Sequence, residues 1–376
     1  MKRTVLLLTT LFLCSTAYAQ QADPLAPLKS WAAKMLPRCQ GQTITLERIP
    51  DPVPANFAVY GTTLRSTDEY CGARKFLMYS PKSQQLLMGQ IVPLPVDARP
   101  ANVRLAEETS KLLTANITAT VAPFALPDGL KAVTLTKQTA FGPFNYHGYL
   151  DATEHFLIVG VRGNLSVDPA KTLLEAVNAA GAVRRGKTDS KVEILELSDF
   201  QCPTCGKAHL KIEPIIRANV GKISYGRLDL PLFEHHPWAV SAAMGGHAIQ
   251  KVAPNKYWDY VDYVFRNQEQ IEKMKFDDVL KGFVEDNDID WKAIEPLYKS
   301  QNERNALLEQ VSRAFDIGIN STPTFIINGQ IMGFGPDGSF TIDAINNAIA
   351  KVGGKPMKVT TTTTPPAKPK PATKKK

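Results

Sequence analysis

The sequence predicts an α/β protein of two domains, in which an α+β N-terminal domain precedes a C-terminal α/β domain. The chain has 376 residues, which is more than one small domain needs. Residues 31–183 are rich in strand patterns separated by turn-forming residues. Residues 192–230 then follow the order strand, helix, strand, which is the order of a βαβ unit. The change of pattern places the domain boundary near residue 184.

The composition is that of a globular protein, with 44% hydrophobic and 21% charged residues. The formal net charge of +8 comes from the two ends of the chain. Without the eight Lys and Arg residues of the first and last nineteen positions, 36 basic and 36 acidic residues remain. Because the body of the chain is neutral, composition does not favour a nucleic-acid partner.

The first residues predict export. A positively charged start at residues 2–3 precedes an apolar run over residues 5–13, and small residues lead up to Ala19. This order is typical of a secretory signal peptide over residues 1–19. A lipoprotein beginning at Cys14 is the alternative, although the residue before it is bulky. We expect a periplasmic or secreted protein after signal-peptide cleavage near Ala19.

Residues 20–183 are expected to form the N-terminal domain, and residues 184–190 a short polar linker. Predicted strands lie at 75–79, 85–92, 131–136 and 155–162, and predicted helices at 103–113 and 170–180. A faint repeat, offset by 70 to 71 residues, relates two strand–turn–strand–helix units. A chance likeness is the alternative explanation.

Residues 191–353 are expected to form the second domain. Predicted strands lie at 192–197, 222–230, 324–327 and 330–334, a helical block at 238–315 and a last helix at 342–352. Asn328 and Gly329 suit a tight hairpin because both tolerate positive φ. Residues 358–376 are rich in Thr, Pro and Lys without apolar periodicity, which predicts a disordered tail.

Four cysteines remain after the predicted cleavage: Cys39, Cys71, Cys202 and Cys205. Disulfides persist in exported proteins, and four cysteines allow three pairings. Two residues separate Cys202 from Cys205, which makes that pair a local unit. Cys39 and Cys71 are therefore expected to form a structural disulfide.

The chemistry concentrates in the motif Cys202-Pro203-Thr204-Cys205, just after the first strand of the second domain. Pro203 would occupy the first helical position, where its missing N–H is harmless, so that Cys202 caps the helix. Free helix N–H groups and the helix macrodipole stabilise a thiolate at such a position. Cys205, one turn further in, is placed to resolve a mixed disulfide.

Two cysteines at this spacing also occur in metal sites, haem sites and static disulfides. A structural zinc site needs four ligands, and only His209 adds to the two cysteines. A haem site needs a histidine where Gly206 stands. A static disulfide is a further alternative. The G-x-G-x-x-G run at residues 333–338 is interpreted as a turn. We predict neither a cofactor nor a bound metal.

Two further runs accompany this motif: Glu-Leu-Ser-Asp-Phe-Gln directly before Cys202, and Ser-Thr-Pro-Thr-Phe at residues 321–325. With them, the sequence resembles the DsbA-type thioredoxin-fold oxidoreductases, which include DsbA, DsbC and DsbG. The resemblance covers residues 187–353 and implies a thioredoxin fold with a helical insertion. It also implies a cis-proline at Pro323 after Thr322, and a buried acid at Glu196. Glu196 shares a strand face with apolar neighbours, which favours burial.

The resemblance implies a thiol:disulfide interchange enzyme that acts on secreted or periplasmic proteins and is recycled by a membrane redox partner. Cys202 would attack, Cys205 resolve and Glu196 assist proton transfer, whereas Thr322 and Pro323 would shape the substrate groove. Oxidase and isomerase directions both stay open, although the large N-terminal domain favours an isomerase-like role and a possible homodimer. The alternative is a chaperone-like or docking protein whose redox domain is accessory.

Overall fold

The computed structural model describes residues 23–67, 72–332 and 338–357. The predicted signal peptide, Cys14, Cys71, most of the G-x-G-x-x-G run and the predicted tail lie outside these ranges. Within them, no helix is long and apolar enough to cross a membrane.

The N-terminal domain is an eight-stranded antiparallel sheet with the strand order β1-β2-β3-β4-β8-β7-β6-β5. The strands are β1 (Thr43–Arg48), β2 (Ala58–Arg65), β3 (Ala73–Tyr79), β4 (Gln85–Pro93), β5 (Ile117–Val121), β6 (Lys131–Thr139), β7 (Gly142–Leu150) and β8 (Phe156–Asn164). The α-helices are α1 (Ala26–Met35), α2 (Ala101–Leu113) and α3 (Pro169–Ala176), with short 3-10 turns at Pro127–Gly129 and Ala179–Gly181.

Two four-stranded halves of this sheet meet at β4 and β8. Their register pairs Gly89 with Gly160, which are 71 residues apart. A Cβ atom at Gly89 would lie 1.9 Å from the Val159 carbonyl oxygen, and one at Gly160 would lie 2.2 Å from that of Met88. Both positions therefore need glycine for the strands to approach. The predicted repeat corresponds to these two halves, each a run of four strands followed by a helix.

The C-terminal domain has a five-stranded sheet of order β13-β12-β10-β11-β9, in which β10 is parallel to β11 and antiparallel to β12. The strands are β9 (Val183–Gly186), β10 (Glu193–Ser198), β11 (Ser224–Asp229), β12 (Thr324–Ile327) and β13 (Gln330–Met332). The helices are α4 (Pro203–Arg217), α5 (Ala239–Val252), α6 (Tyr257–Arg266), α7 (Gln268–Ile271), α8 (Phe276–Asp286), α9 (Trp291–Tyr298), α10 (Gln301–Asp316) and α11 (Ser339–Lys351), with a 3-10 turn at Pro254–Lys256. This is the α/β class that the sequence predicts, a thioredoxin fold with α5 to α10 inserted between β11 and β12.

The predicted linker over residues 184–190 is wrong for its first part. Residues 183–186 form the edge strand β9, which pairs antiparallel with β11. The polar composition of this segment suggested a linker, but its Arg185 has partners within the domain. The guanidinium group lies over the rings of Tyr225 and Trp258 and forms an ion pair with Glu213. Charged residues are common on edge strands, where they oppose pairing with another chain.

One apolar core joins the two domains. The cluster contains Leu28, Trp31, Leu77 and Phe144 from the N-terminal domain and Leu195, Leu308, Val311 and Ile326 from the C-terminal domain. Backbone and side-chain hydrogen bonds cross the same boundary: the Arg38 N–H donates to the Ile331 carbonyl at 2.7 Å, and Gln330 Nε2 donates to the Leu36 carbonyl at 3.0 Å. The N-terminal domain is therefore packed onto the thioredoxin fold.

Candidate active site

Cys202 lies at the N-terminus of α4, directly after the loop that follows β10. Its backbone is extended, with φ −64° and ψ 120°, and Pro203 occupies the first turn of the helix. The Cys202 side chain makes no cap hydrogen bond, but the nearby N–H groups of Thr204 and Cys205 lower the pKa of its thiol. The local geometry is the one that the Cys-Pro-Thr-Cys motif predicts.

The surroundings of Cys202 favour its ionised form. A hydrogen bond from the Cys205 thiol is the largest cause that lowers the pKa of Cys202, and the Thr322 side chain and the helix N–H groups add to it. Burial opposes them, and the resulting pKa is about 6. In its protonated form the Cys202 thiol donates to the Thr322 carbonyl oxygen at 3.5 Å. At neutral pH most of the Cys202 side chain is therefore thiolate.

Cys205 has the opposite environment. It is 0% exposed, compared with 7% for Cys202, and both cysteines are free thiols. Burial raises the pKa of Cys205 well above its usual value, and the neighbouring Cys202 raises it further. The Asp199 N–H donates to the Cys205 sulfur at 3.5 Å. Cys205 therefore holds its proton while Cys202 loses its own.

The loop before β12 brings Thr322 and Pro323 to the dithiol. The Thr322–Pro323 peptide bond is cis, as the resemblance implies. Thr322 Oγ1 is buried and has no hydrogen-bond partner among the described residues, so its hydroxyl is available to donate to the Cys202 thiolate, whose pKa it lowers. Thr322 and Pro323 line a cavity of about 340 Å³ together with Thr204. Thr322 and Pro323 thus line a cavity next to the dithiol, and the binding of substrate there stays a prediction.

Glu196 is buried, as the alternation along its strand predicts, with 2% of its surface exposed. The Tyr225 hydroxyl donates to Glu196 Oε2, and Oε1 has no hydrogen-bond partner within the described ranges. The register between β10 and β11 places Arg227 beside Glu196, and Arg227 forms a buried ion pair with Asp229. Glu196 therefore belongs to a charged layer on the sheet, and its role in proton transfer stays a prediction.

Sequence reasoning missed the contribution of Asp199 and His236. Asp199 Oδ2 accepts from the Leu232 N–H at 2.7 Å and lies 2.6 Å from His236 Nδ1. The hydrogen bond to Asp199 raises the pKa of His236, and the negative charges of Asp199 and Cys202 raise it further, against the effect of burial. Because 34 residues separate His236 from Cys202, no motif spacing could reveal this proximity.

Gln268 of α7 is a second residue that the sequence did not indicate. Its Nε2 donates to the carbonyl oxygens of Phe200 and Cys202 at 2.8 and 3.0 Å. A Cβ atom at position 206 would lie 2.3 Å from Gln268 Oε1, so Gly206 leaves the room that this side chain needs. The helical insertion thereby supports the active-site loop.

His209 and Cys39 also have defined surroundings. His209 Nε2 lies 3.0 Å from Asp262 Oδ1, and its ring packs on Phe265. Within residues 23–67, 72–332 and 338–357, no group of three His, Cys, Asp or Glu side chains could hold a metal ion. Cys39 is disulfide-bonded and buried, and Cys71 is outside the described residues. The Cys39–Cys71 pairing stays a prediction.

Comparisons with known proteins match part of the chain. Residues 178–351 match the family model described as Thioredoxin. Among curated relatives, a Na(+)/H(+) antiporter NhaA 1 of Salinispora arenicola is 27% identical over 165 residues, which cover 44% of this chain and 24% of the antiporter. A probable disulfide bond formation protein D of Bacillus cereus is 24% identical over 172 residues, which cover 44% of this chain and 76% of that protein.

The fold is also similar to the crystal structure of oxidised BdbD from Bacillus subtilis, with a TM-score of 0.39 and 20% identity. The match covers 45% of this chain and 93% of the BdbD chain. The chain spans about a quarter of the length of the antiporters that it matches. The family match and the disulfide bond formation proteins confirm the resemblance of the C-terminal domain to DsbA-type thioredoxin-fold proteins.

Proposed function

We propose that this protein is a thiol:disulfide oxidoreductase that exchanges disulfides with exported proteins through Cys202 and Cys205. One observation carries the proposal: two cysteines one helical turn apart have opposite environments. Cys202 has a pKa of about 6 at a helix N-terminus, and Cys205 is fully buried with a raised pKa. This asymmetry divides attack from resolution, as disulfide exchange requires.

The exchange runs in two steps. The Cys202 thiolate attacks one sulfur of a substrate disulfide, a mixed disulfide forms, and the other substrate sulfur leaves with the electron pair and takes up a proton. Cys205 then gives up its proton and attacks the Cys202 sulfur, which releases the second substrate thiol and leaves a Cys202–Cys205 disulfide. Substrate oxidation is the reverse of these steps. We assign Glu196 to the proton transfer at Cys205 because Glu196 is a buried acid on β10, the strand that leads into the loop before Cys202.

The pKa of Cys202 supports an isomerase-like role. A stable thiolate stabilises the reduced dithiol, and the attacking cysteine of thioredoxin has a pKa of about 7 whereas that of DsbA is about 3.5. The corresponding potentials are about −270 and about −120 mV. The lowered pKa of Cys202 favours the reduced dithiol that an isomerase uses, and the reduction potential of the Cys202–Cys205 couple is the measurement that separates this role from that of an oxidase.

The proposed substrates are periplasmic or secreted proteins, and a membrane redox partner would reset the dithiol. The possible homodimer also stays a prediction. The central strands β4 and β8 already pair within one chain, so a second protomer would have to use another surface.

The alternative, a chaperone-like or docking protein, would be favoured by a large apolar cleft between the domains. The cavity of about 750 Å³ between the N-terminal sheet and α10 has a mixed lining, in which apolar residues alternate with charged side chains such as His147, Arg162, Arg313 and Asp316. It does not favour the alternative.

Two variants test the proposed function. Cys202→Ala should abolish the reduction of insulin disulfides, because no other described free thiol has a lowered pKa. Cys205→Ala should still attack but accumulate mixed disulfides, which non-reducing gels and mass spectrometry detect. Full activity of Cys202→Ala, or faster alkylation of Cys205 than of Cys202 in the reduced protein, would show that the roles are assigned wrongly.

A further inference from the structure

The groove beside the dithiol has walls from both domains. The C-terminal domain contributes Thr204, Thr322 and Pro323, and the N-terminal domain contributes Met35, Pro37 and Lys75 to the same cavity of about 340 Å³. A substrate segment that reaches Cys202 through this groove therefore also contacts the N-terminal domain.

Lys75 is the one charged side chain among the described residues that line the groove, and the other lining residues are apolar, glycine, or polar but uncharged. Its Nζ atom donates to the Ile317 carbonyl oxygen at 2.9 Å, and no carboxylate of the described residues lies within ion-pair distance. Burial lowers the pKa of Lys75, since nothing compensates its charge there. A half-buried ammonium group with one of three donors used can accept a further, negatively charged partner.

We propose that Lys75 forms a subsite for an acidic side chain of the substrate, so that the enzyme prefers cysteines with Asp or Glu nearby and apolar residues between. This inference rests on the proposed function. A carboxylate from the substrate would complete the ion pair that the groove lacks, and Met35 and Pro37 would contact the apolar residues beside it. Charge complementarity of this kind affects specificity and the rate of association more than it affects affinity.

The spacing follows from the loop that Lys75 contacts. Ile317, its hydrogen-bond partner, and Thr322, which contacts the Cys202 sulfur, are five residues apart on one segment that lines the groove. Five residues span at most about 17 Å in an extended chain. The acidic side chain is therefore expected within about five residues of the substrate cysteine.

The experiment uses the reduced full-length protein and three peptides. Each peptide carries one cysteine as a mixed disulfide with neutral 2-thiopyridine, and they differ only in Glu, Gln or Lys three residues from the cysteine. Attack by Cys202 on the peptide sulfur breaks the disulfide and releases thiopyridone, which absorbs light. Each protein molecule reacts once, because the attack ends in a Cys202–Cys205 disulfide, so KM here denotes the peptide concentration that gives half the maximal rate of thiopyridone release in this single turnover. We expect the Glu peptide to have a KM about tenfold lower than the Lys peptide, with Gln between them and similar maximal rates.

Lys75→Met should abolish this ranking. Arg74→Met is the matched control, because it removes the same charge from the next residue of β3, which is exposed on the other face of the strand. It should keep the ranking. If Lys75→Met does not fold, Lys75→Gln takes its place, because its side-chain amide can still donate to the Ile317 carbonyl oxygen but carries no charge.

Equal KM values for the Glu and Lys peptides with the wild-type protein would overturn the subsite and leave the proposed exchange activity intact. Loss of the ranking in Arg74→Met as well as in Lys75→Met would also overturn it, because a general surface charge would then explain the preference. No attack on any peptide would overturn the proposed function and the subsite together.

Discussion

The two walls of the groove beside Cys202 are held in place differently. On the side of the C-terminal domain, the active-site loop is organised by its own residues: Asp199 Oδ1 accepts from the Gln201 N–H at 2.7 Å, and the Asp199 N–H donates to Cys205. On the side of the N-terminal domain, the wall depends on partners almost 300 residues away. Gln330 donates to the carbonyl oxygens of Ala33 and Leu36, at sequence separations of 297 and 294.

The reactivity of the dithiol and the access of substrate to it therefore depend on different parts of this chain. The reactive asymmetry of the dithiol arises from a short motif at a helix N-terminus. The shape and charge of the groove arise because the N-terminal domain packs onto the C-terminal domain through a common core. Changes to the N-terminal domain should therefore affect folding and substrate preference and leave the pKa of Cys202 unchanged.

The largest expected effect comes from removing the N-terminal domain. A chain that begins at residue 187 lacks β9 and exposes Leu195, Leu308 and Val311 of the shared core. We expect it to be insoluble or to lack a cooperative thermal transition, because burial of such side chains contributes about 1.5–3 kcal/mol each. Soluble yield and circular dichroism measure this.

Removal of residues 358–376 provides the control for that truncation. This segment has no apolar periodicity, so its loss should leave the thermal transition unchanged. A well-folded fragment from residue 187 with full exchange activity would show that the two domains are independent, contrary to the shared core.

The sequence predicted the dithiol side well and the other side poorly. Pro203 after Cys202, and Glu196 on an apolar strand face, are local signals of helix capping and burial, and the structure has both features. In the N-terminal sheet, the sequence patterns predicted β3, β4, β6 and β8, whereas β1, β2, β5 and β7 were not predicted. No local pattern could show that Lys75 reaches the loop before Thr322, because that contact depends on how the domains pack.

The predicted Cys39–Cys71 disulfide is expected to have an intermediate effect. Cys39 is two residues from Pro37 and Cys71 is next to Gly72, and both neighbours line the groove. The double variant Cys39→Ser and Cys71→Ser should lower the free energy of unfolding by about 3 kcal/mol, as the chain-entropy model gives for a loop of about 30 residues. It should raise KM for protein substrates more than it lowers kcat, since the dithiol is untouched.

Urea unfolding and steady-state kinetics measure the two effects of that variant. Mass mapping of the wild-type protein supplies the check on the pairing itself. A link from Cys39 to Cys202 or Cys205, or an unfolding free energy that does not change in the double variant, would contradict the prediction.

The smallest expected effect concerns His236, which tunes the dithiol side. The bond to Asp199 raises the pKa of His236, so that below this raised pKa the imidazolium is charged and stabilises the Cys202 thiolate. This ion pair is lost as the pH rises through the raised pKa of His236, and it is also lost as the pH falls through the pKa of Cys202, where the thiolate takes up a proton. The Cys202 thiolate itself is present above a pH of about 6. The two charges therefore coexist in a window that begins near pH 6.

We expect His236→Gln to raise the pKa of Cys202 by about half a unit, the size of a partly exposed ion pair. The rate of alkylation and the thiolate absorbance at 240 nm, followed against pH, measure this shift. The loss of rate should be about twofold near pH 6, and it should vanish at alkaline pH, where Cys202 is fully ionised in both proteins. His235→Gln, at the exposed neighbouring position, should leave the profile unchanged. Identical titration curves for His236→Gln and the wild-type protein would show that Asp199 and His236 only position the loop. An equal shift in His235→Gln and His236→Gln would show that the net charge of the surface, and not the contact with Asp199, sets the pKa of Cys202.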